Sequence, residues 1–128
     1  MKRLFLSCLV VLIACIAGST PALAHHGFAA YDETKTVSLK GTVTDYELAS
    51  PHSMIAFDVK DESGKVENWV AEAPHARLMR DQGWTADTLK TGDIVTVFFH
   101  PAKNGSHAAV DLIKVQFHDG HVLWGHKD

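Results

Sequence analysis

From Val37 the chain alternates, with Val37, Leu39, Gly41 and Val43 on one face and Ser38, Lys40, Thr42 and Thr44 on the other. A period of two is that of a half-buried strand, and Gly41 is where a barrel strand has room to bend sharply. Ile55, Phe57 and Val59, alternating with Ala56 and Asp58, predict a second strand. Asp61-Glu62-Ser63-Gly64-Lys65 predicts a hairpin turn, and Val66 to Ala71 the returning strand. Alternation then stops. Pro74 opens a stretch of good helix formers, Ala73 to Gly83, which a glycine closes, and this predicts one short helix. Thr85 to Leu89 adds a further turn, and Lys90-Thr91-Gly92-Asp93 feeds a strand from Ile94 to His100. Asn104-Gly105 marks another turn, Ala109 to Phe117 a strand, and Asp119-Gly120 a last hairpin into Val122 to Trp124. Three strands, a helix, two strands and a short return is the order of a mostly β fold: a small OB-like five-stranded Greek-key barrel with one short helix between the third and fourth strands. Trp69, Trp84, Phe57, Phe98 and Phe99 read as core or rim packing, and Trp124 as a cover for an open barrel edge.

Ahead of the first strand the pattern is of another kind. Lys2 and Arg3 precede an apolar run from Leu4 to Ala17, then small residues, Pro21 and Ala22-Leu23-Ala24. That is a signal peptide cut after Ala24, because the apolar run is short and ends in a small-residue cleavage pattern. Leu12-Ile13-Ala14-Cys15 offers a second parse, a lipoprotein signal that would anchor the chain to a membrane through Cys15. The expected organisation is therefore a leader at 1–24, an N-terminal arm at 25–36 with Phe28 and Tyr31 available to pin it, and one OB-like barrel domain at 37–128. The protein is expected in the periplasm or secreted.

Removing the leader changes the composition. Of the 12 Lys and Arg, Lys2 and Arg3 leave with it, whereas the 15 Asp and Glu all remain, so the formal charge moves from −3 to −5. Such a surface repels phosphate backbones and argues against nucleic acid as a partner. Cys8 and Cys15 leave too, so the remaining domain has neither disulfide nor thiolate chemistry. All nine histidines stay.

His25-His26-Gly27-Phe28 after the leader, the Leu39-Lys40-Gly41-Thr42-Val43 strand, Ser50-Pro51-His52, Gly83-Trp84, Leu89-Lys90-Thr91-Gly92-Asp93, and His100-Pro101-Ala102-Lys103-Asn104-Gly105 can be taken together. This combination resembles a family of small exported bacterial proteins classed as a domain of unknown function. The likeness covers nearly all of the mature chain, although the family's loop usually reads Asn-Pro-His where this chain has Ser50. The resemblance implies export and a small β-barrel, and supplies no catalytic residues. More distantly the chain looks like other periplasmic OB-fold proteins, some of which carry haem or bind envelope partners, which is analogy only.

The chemistry rests on the histidines. With cleavage after Ala24, His25 offers a free α-amine and its own imidazole, which together close a chelate ring on a metal. Both groups deprotonate near neutral pH at modest cost. His26 adds a second imidazole, and a nitrogen-rich tetragonal set favours copper, which also heads the divalent affinity order. His118-Asp119-Gly120-His121 reads as a two-residue hairpin loop that sets His118 opposite His121. His100 and His107 bracket the turn from Pro101 to Ser106, and His52 and His75 each follow a proline. For His75 a helix-capping role is the plainer account, and solvated turn histidines remain an open alternative for the pairs. Gly-rich phosphate loops, HExxH and GxSxG are absent. A copper monooxygenase built on an N-terminal histidine would also use His25, but the chain is short for a substrate-binding face. The expectation is a non-enzymatic binding protein that takes copper, or less selectively zinc or nickel, through His25 and His26 with one of His52, His100, His107, His118 or His121. The competing expectation is an envelope module that docks a protein or small ligand, its histidines being incidental.

Overall fold

The computed structural model describes residues 30–126. Among them are β1 (Val37–Glu47), β2 (Ser53–Lys60), β3 (Val66–Ala73), helix α1 (Ala76–Asp81), β4 (Ile94–His100), β5 (Val110–Gln116) and β6 (Val122–Trp124). The strands pair in the order β3-β2-β1-β4-β5-β6, and a β3–β5 pairing closes the first five into a barrel. The OB-like architecture is therefore as expected, with the helix between β3 and β4. The leader, Phe28, His25 and His26 lie outside the described residues.

Alternation places the core. Val43, Ile55, Phe57, Ala71, Val97, Phe99, Val110, Leu112 and Val115 are all fully buried and fill the barrel, in steps of two except from Leu112 to Val115, where the register with β4 shifts. Met79, Trp84 and Leu89, from the connection between β3 and β4, join the same core. Trp84 is only 1 % exposed, and its indole N–H donates to the Trp124 carbonyl at 2.8 Å. Trp124 thus meets the core through its backbone, while its ring stays on the outside under the Lys114 ammonium. Phe98 is on that outer face too, beneath the same ammonium, rather than in the core.

One strand serves two partners. β1 pairs with β4 from Val37 to Thr42 and with β2 from Thr42 to Glu47, with an irregularity between Val43 and Asp45. The hand-over from β4 to β2 falls at Thr42, next to Gly41, with the bulge just beyond it. Gly41 also has a packing task. A Cβ there would stand 2.8 Å from Phe57 Cδ2 and 2.9 Å from the Asp58 carbonyl oxygen, so the absent side chain lets β2 close in.

Closure is brief. β3 and β5 run parallel and share only two register pairs, Ala71 with Val110 and Glu72 with Asp111. The His107 carbonyl extends the seam by accepting from the Val70 N–H at 2.9 Å. Ala71 and Val110 point into the core, which puts Glu72 and Asp111 on the outer face beside each other.

Replacing Gly41 by alanine should lower stability by about 1–3 kcal/mol, because the contact is with backbone and a core ring and neither yields easily. An unchanged denaturation midpoint would show that β2 has slack at this crossing.

Candidate functional site

The outer face at the seam carries a polar row. His100 on β4 registers with Asp111 on β5, and Asp111 registers with Glu72 on β3. A buried carboxylate needs donors, and Asp111 is only 9 % exposed although it faces away from the core. His126 lies against it.

Residues 30–36 lie across this row. Tyr31 bridges to Ala102, the Asp32 N–H donates to the Pro101 carbonyl at 2.9 Å, and the Lys103 N–H donates to the Ala30 carbonyl at 3.0 Å. The Tyr31 hydroxyl donates to Glu72 Oε2 at 3.0 Å, so Tyr31 pins the arm as expected. Further along, His100 Nδ1 is 2.8 Å from the Lys35 carbonyl, which makes it the donor. A turn holds the arm's shape: Thr34 and Lys35 bond the Asp32 carboxylate, and these contacts, the Thr34 hydroxyl foremost, hold it down to about 2.

Beside Tyr31 opens a cavity of about 750 Å³. Its walls come from the β1–β2 loop through Pro51 and His52, from the end of β3 and the start of α1, and from the β4–β5 loop. In an OB barrel the β1–β2 and β4–β5 loops flank the usual ligand face. His52 Nδ1 lies 3.0 Å from Glu72 Oε1, so one carboxylate takes Tyr31 on one oxygen and His52 on the other. His126 Nε2 lies 3.4 Å from Asp111 Oδ1 on the same wall.

The other histidines are dispersed. His118 and His121 do not face each other: β5 and β6 last pair at Gln116 with Val122, and the Phe117 N–H donates to the His121 carbonyl, so Phe117 stands across from His121. The loop is longer than two residues because its turn is Phe117 to Gly120. His121 stacks on Phe117 at 4.1 Å and meets Asp119 through Nδ1. The His121 backbone N–H, followed by its imidazole, lowers the Asp119 pKa. His100 and His107 do not face across strands either, since His107 stacks on Trp69 at 3.6 Å with Glu67 3.8 Å from its Nδ1. His75 caps α1, its Nδ1 accepting from the Leu78 N–H at 3.4 Å. Among the described residues no group of three His, Cys, Asp or Glu side chains is placed to hold a metal ion.

Glu72, Asp111 and His126 were not singled out from sequence. The available signal was a carboxylate inside an apolar strand, as in Trp69-Val70-Ala71-Glu72-Ala73 and Val110-Asp111-Leu112. A charge in such a run marks either a surface face or a polar seam, and only the strand pairing says which.

The fold and this cavity define a small closed β-barrel with a ligand-sized recess beside its seam. The chain belongs to the family of unknown function DUF6152, whose model matches residues 12–111. No curated protein matches the chain.

Both tyrosines of the sequence bear on a pH test. Burial first, then the Glu72 carboxylate, pushes the Tyr31 phenol well above its usual range, and burial pushes Tyr46 up to about 12. An unfolded phenol ionises near 10. Between about pH 10 and 12 the unfolded chain therefore loses protons that the folded one keeps, so stability should fall as pH rises through that window. Absorbance at 295 nm should show little tyrosinate in the folded protein at pH 10.5 and substantial tyrosinate in urea, whereas equal titration would contradict the Tyr31–Glu72 contact.

Proposed function

We propose that this is an exported, non-enzymatic binding protein that holds a transition metal, copper(II) first, between the two histidines behind the leader and the imidazole of His52. On this reading the leader is cut after Ala24 and the protein works in the periplasm, the lipidated Cys15 form being the alternative. The observation that carries it is the state of His52. Its Nδ1 lies 3.0 Å from Glu72 Oε1 and its imidazole lines the cavity, an arrangement in which a proton on Nδ1 would leave Nε2 to bind a metal. Ligating histidines commonly hand their other N–H to a carboxylate in this way, which orients the ring and raises its basicity.

Position separates His52 from the other candidates. His107 and His121 also have a carboxylate at Nδ1, but each is stacked on an aromatic ring away from the cavity wall. Ala30 is itself part of that wall. His26 is four residues before Ala30, a reach of about 14 Å in extended chain, which suits a site completed by His52.

A second reading, a small-ligand module, is favoured by the size of the recess. About 750 Å³ falls within the roughly 300–1,000 Å³ of small-molecule pockets and exceeds what one ion fills.

The test starts with protein made without an N-terminal tag and exported, its intact mass establishing that it begins at His25. Calorimetric titration with Cu(II) should give one tight equivalent. H25A/H26A should abolish it, His52→Ala should weaken it about tenfold or more, and H118A/H121A should leave it unchanged. A mass showing lipidated Cys15, or copper spread over several weak sites that the double variant spares, would overturn the reading.

A further inference from the structure

Beyond the metal, and independent of it, the cavity has a charge pattern that selects an organic ligand. Its two formal charges are the carboxylates of Glu72 and Asp111, side by side across the seam. No lysine or arginine is among its described lining residues, and the remaining titratable groups there are the imidazoles of His52, His75 and His126 and the Tyr31 phenol. A second wall is apolar, formed by Pro51, Pro74, Leu78, Ala102 and Ala109.

Acceptor capacity remains at the acidic end. Each oxygen of a carboxylate carries two lone pairs; Glu72 Oε2 accepts from the Tyr31 hydroxyl, and Oε1 has His52 Nδ1 3.0 Å away. Both oxygens can therefore take one more hydrogen bond. An ammonium group offers three donors and a positive charge, and a donor bonded to a charged acceptor in a site partly shielded from water makes one of the stronger polar contacts available.

We propose that this cavity binds a primary-amine cation with a compact apolar body, its ammonium held by Glu72 and Asp111 and its body lying along the Pro74–Leu78 wall. The opposite charge is disfavoured, because an anion would meet two carboxylates with no lysine or arginine among the described lining residues to offset them. A neutral compound of the same shape forgoes the charge-assisted bonds and keeps only the apolar contact.

The probe is phenethylamine, with 3-phenylpropionate as its counterpart of similar size and opposite charge. Both are titrated at pH 8 into metal-free protein that carries H25A and H26A, so that failure of the copper reading cannot affect the outcome. The amine should bind saturably, moving the amide resonances of Tyr31, His52 and Glu72, and the carboxylate should neither bind nor compete. Glu72→Gln, which keeps the shape and an acceptor, should weaken the amine by about tenfold or more, as expected for loss of a bond to a charged group. Leu78→Trp, at a half-exposed rim position, narrows the cavity without touching the carboxylates and should weaken it as well, which keeps the test decisive where E72Q does not fold. Absence of saturable amine binding overturns the proposal, including the case in which the chain's own residues ahead of Ala30 fill the recess. Equal affinity for the two compounds, or an amine affinity that both variants leave unchanged, overturns it too.

Discussion

Two register pairs close this barrel. Strands β3 and β5 meet in parallel only at Ala71 with Val110 and Glu72 with Asp111, and the consequences run in both directions from that seam. Inward, Ala71 and Val110 complete a core whose other members come from antiparallel ladders and from the β3–β4 connection. Outward, the same pairing sets two carboxylates side by side on a face that would ordinarily be wet. Two like charges at that spacing raise each other's energy unless donors and cations attend them. The arm, the β1–β2 loop and the segment after β6 supply that attendance, through Tyr31 and His52 on Glu72 and His126 on Asp111.

The N-terminal arm is thus part of the seam's chemistry. Its backbone binds the β4–β5 loop at Ala30 and Asp32, its phenol reaches Glu72, and its Lys35 carbonyl takes the His100 proton. Individually these are contacts of about 1 kcal/mol, and their joint effect is to fix where the chain enters the barrel. It enters beside His52. That is why an unusual pair of histidines a few residues upstream is more than a soluble start in the present account, and why the dispersed His118, His121 and His107 have a smaller place in it.

Much of the fold was legible because period-two alternation survives wherever one face is buried. β4 and β6 have the expected limits, and the strand order with its single helix followed from turn chemistry at Gly64, Gly83, Gly92, Gly105 and Gly120, each of which has positive φ. The misreadings have physical causes. The register shift between Val43 and Asp45 on β1 leaves no mark in the alternation of the sequence. The His118–His121 hairpin looked like a two-residue loop because Asp-Gly is the usual hairpin signal, whereas here it closes a turn that begins at Phe117. The site itself was the least legible part. Tyr31 could be read as a pin, but Glu72, Asp111 and His126 come together only through a parallel pairing of strands whose closest residues are nearly forty positions apart, and no local pattern encodes that.

The central claim is that copper bound at the N-terminus sits at the seam. One equivalent of Cu(II) added to 15N-labelled protein beginning at His25 tests it directly, because the ion broadens amides near it and spares distant ones. Seam and hairpin lie at opposite ends of β5, about 20 Å apart at the usual rise per residue. The account predicts loss of the Tyr31, His52, Glu72, Ala102 and Asp111 resonances with His118 to His121 intact. Broadening centred on the β5–β6 hairpin, or spread evenly over the barrel, would contradict it.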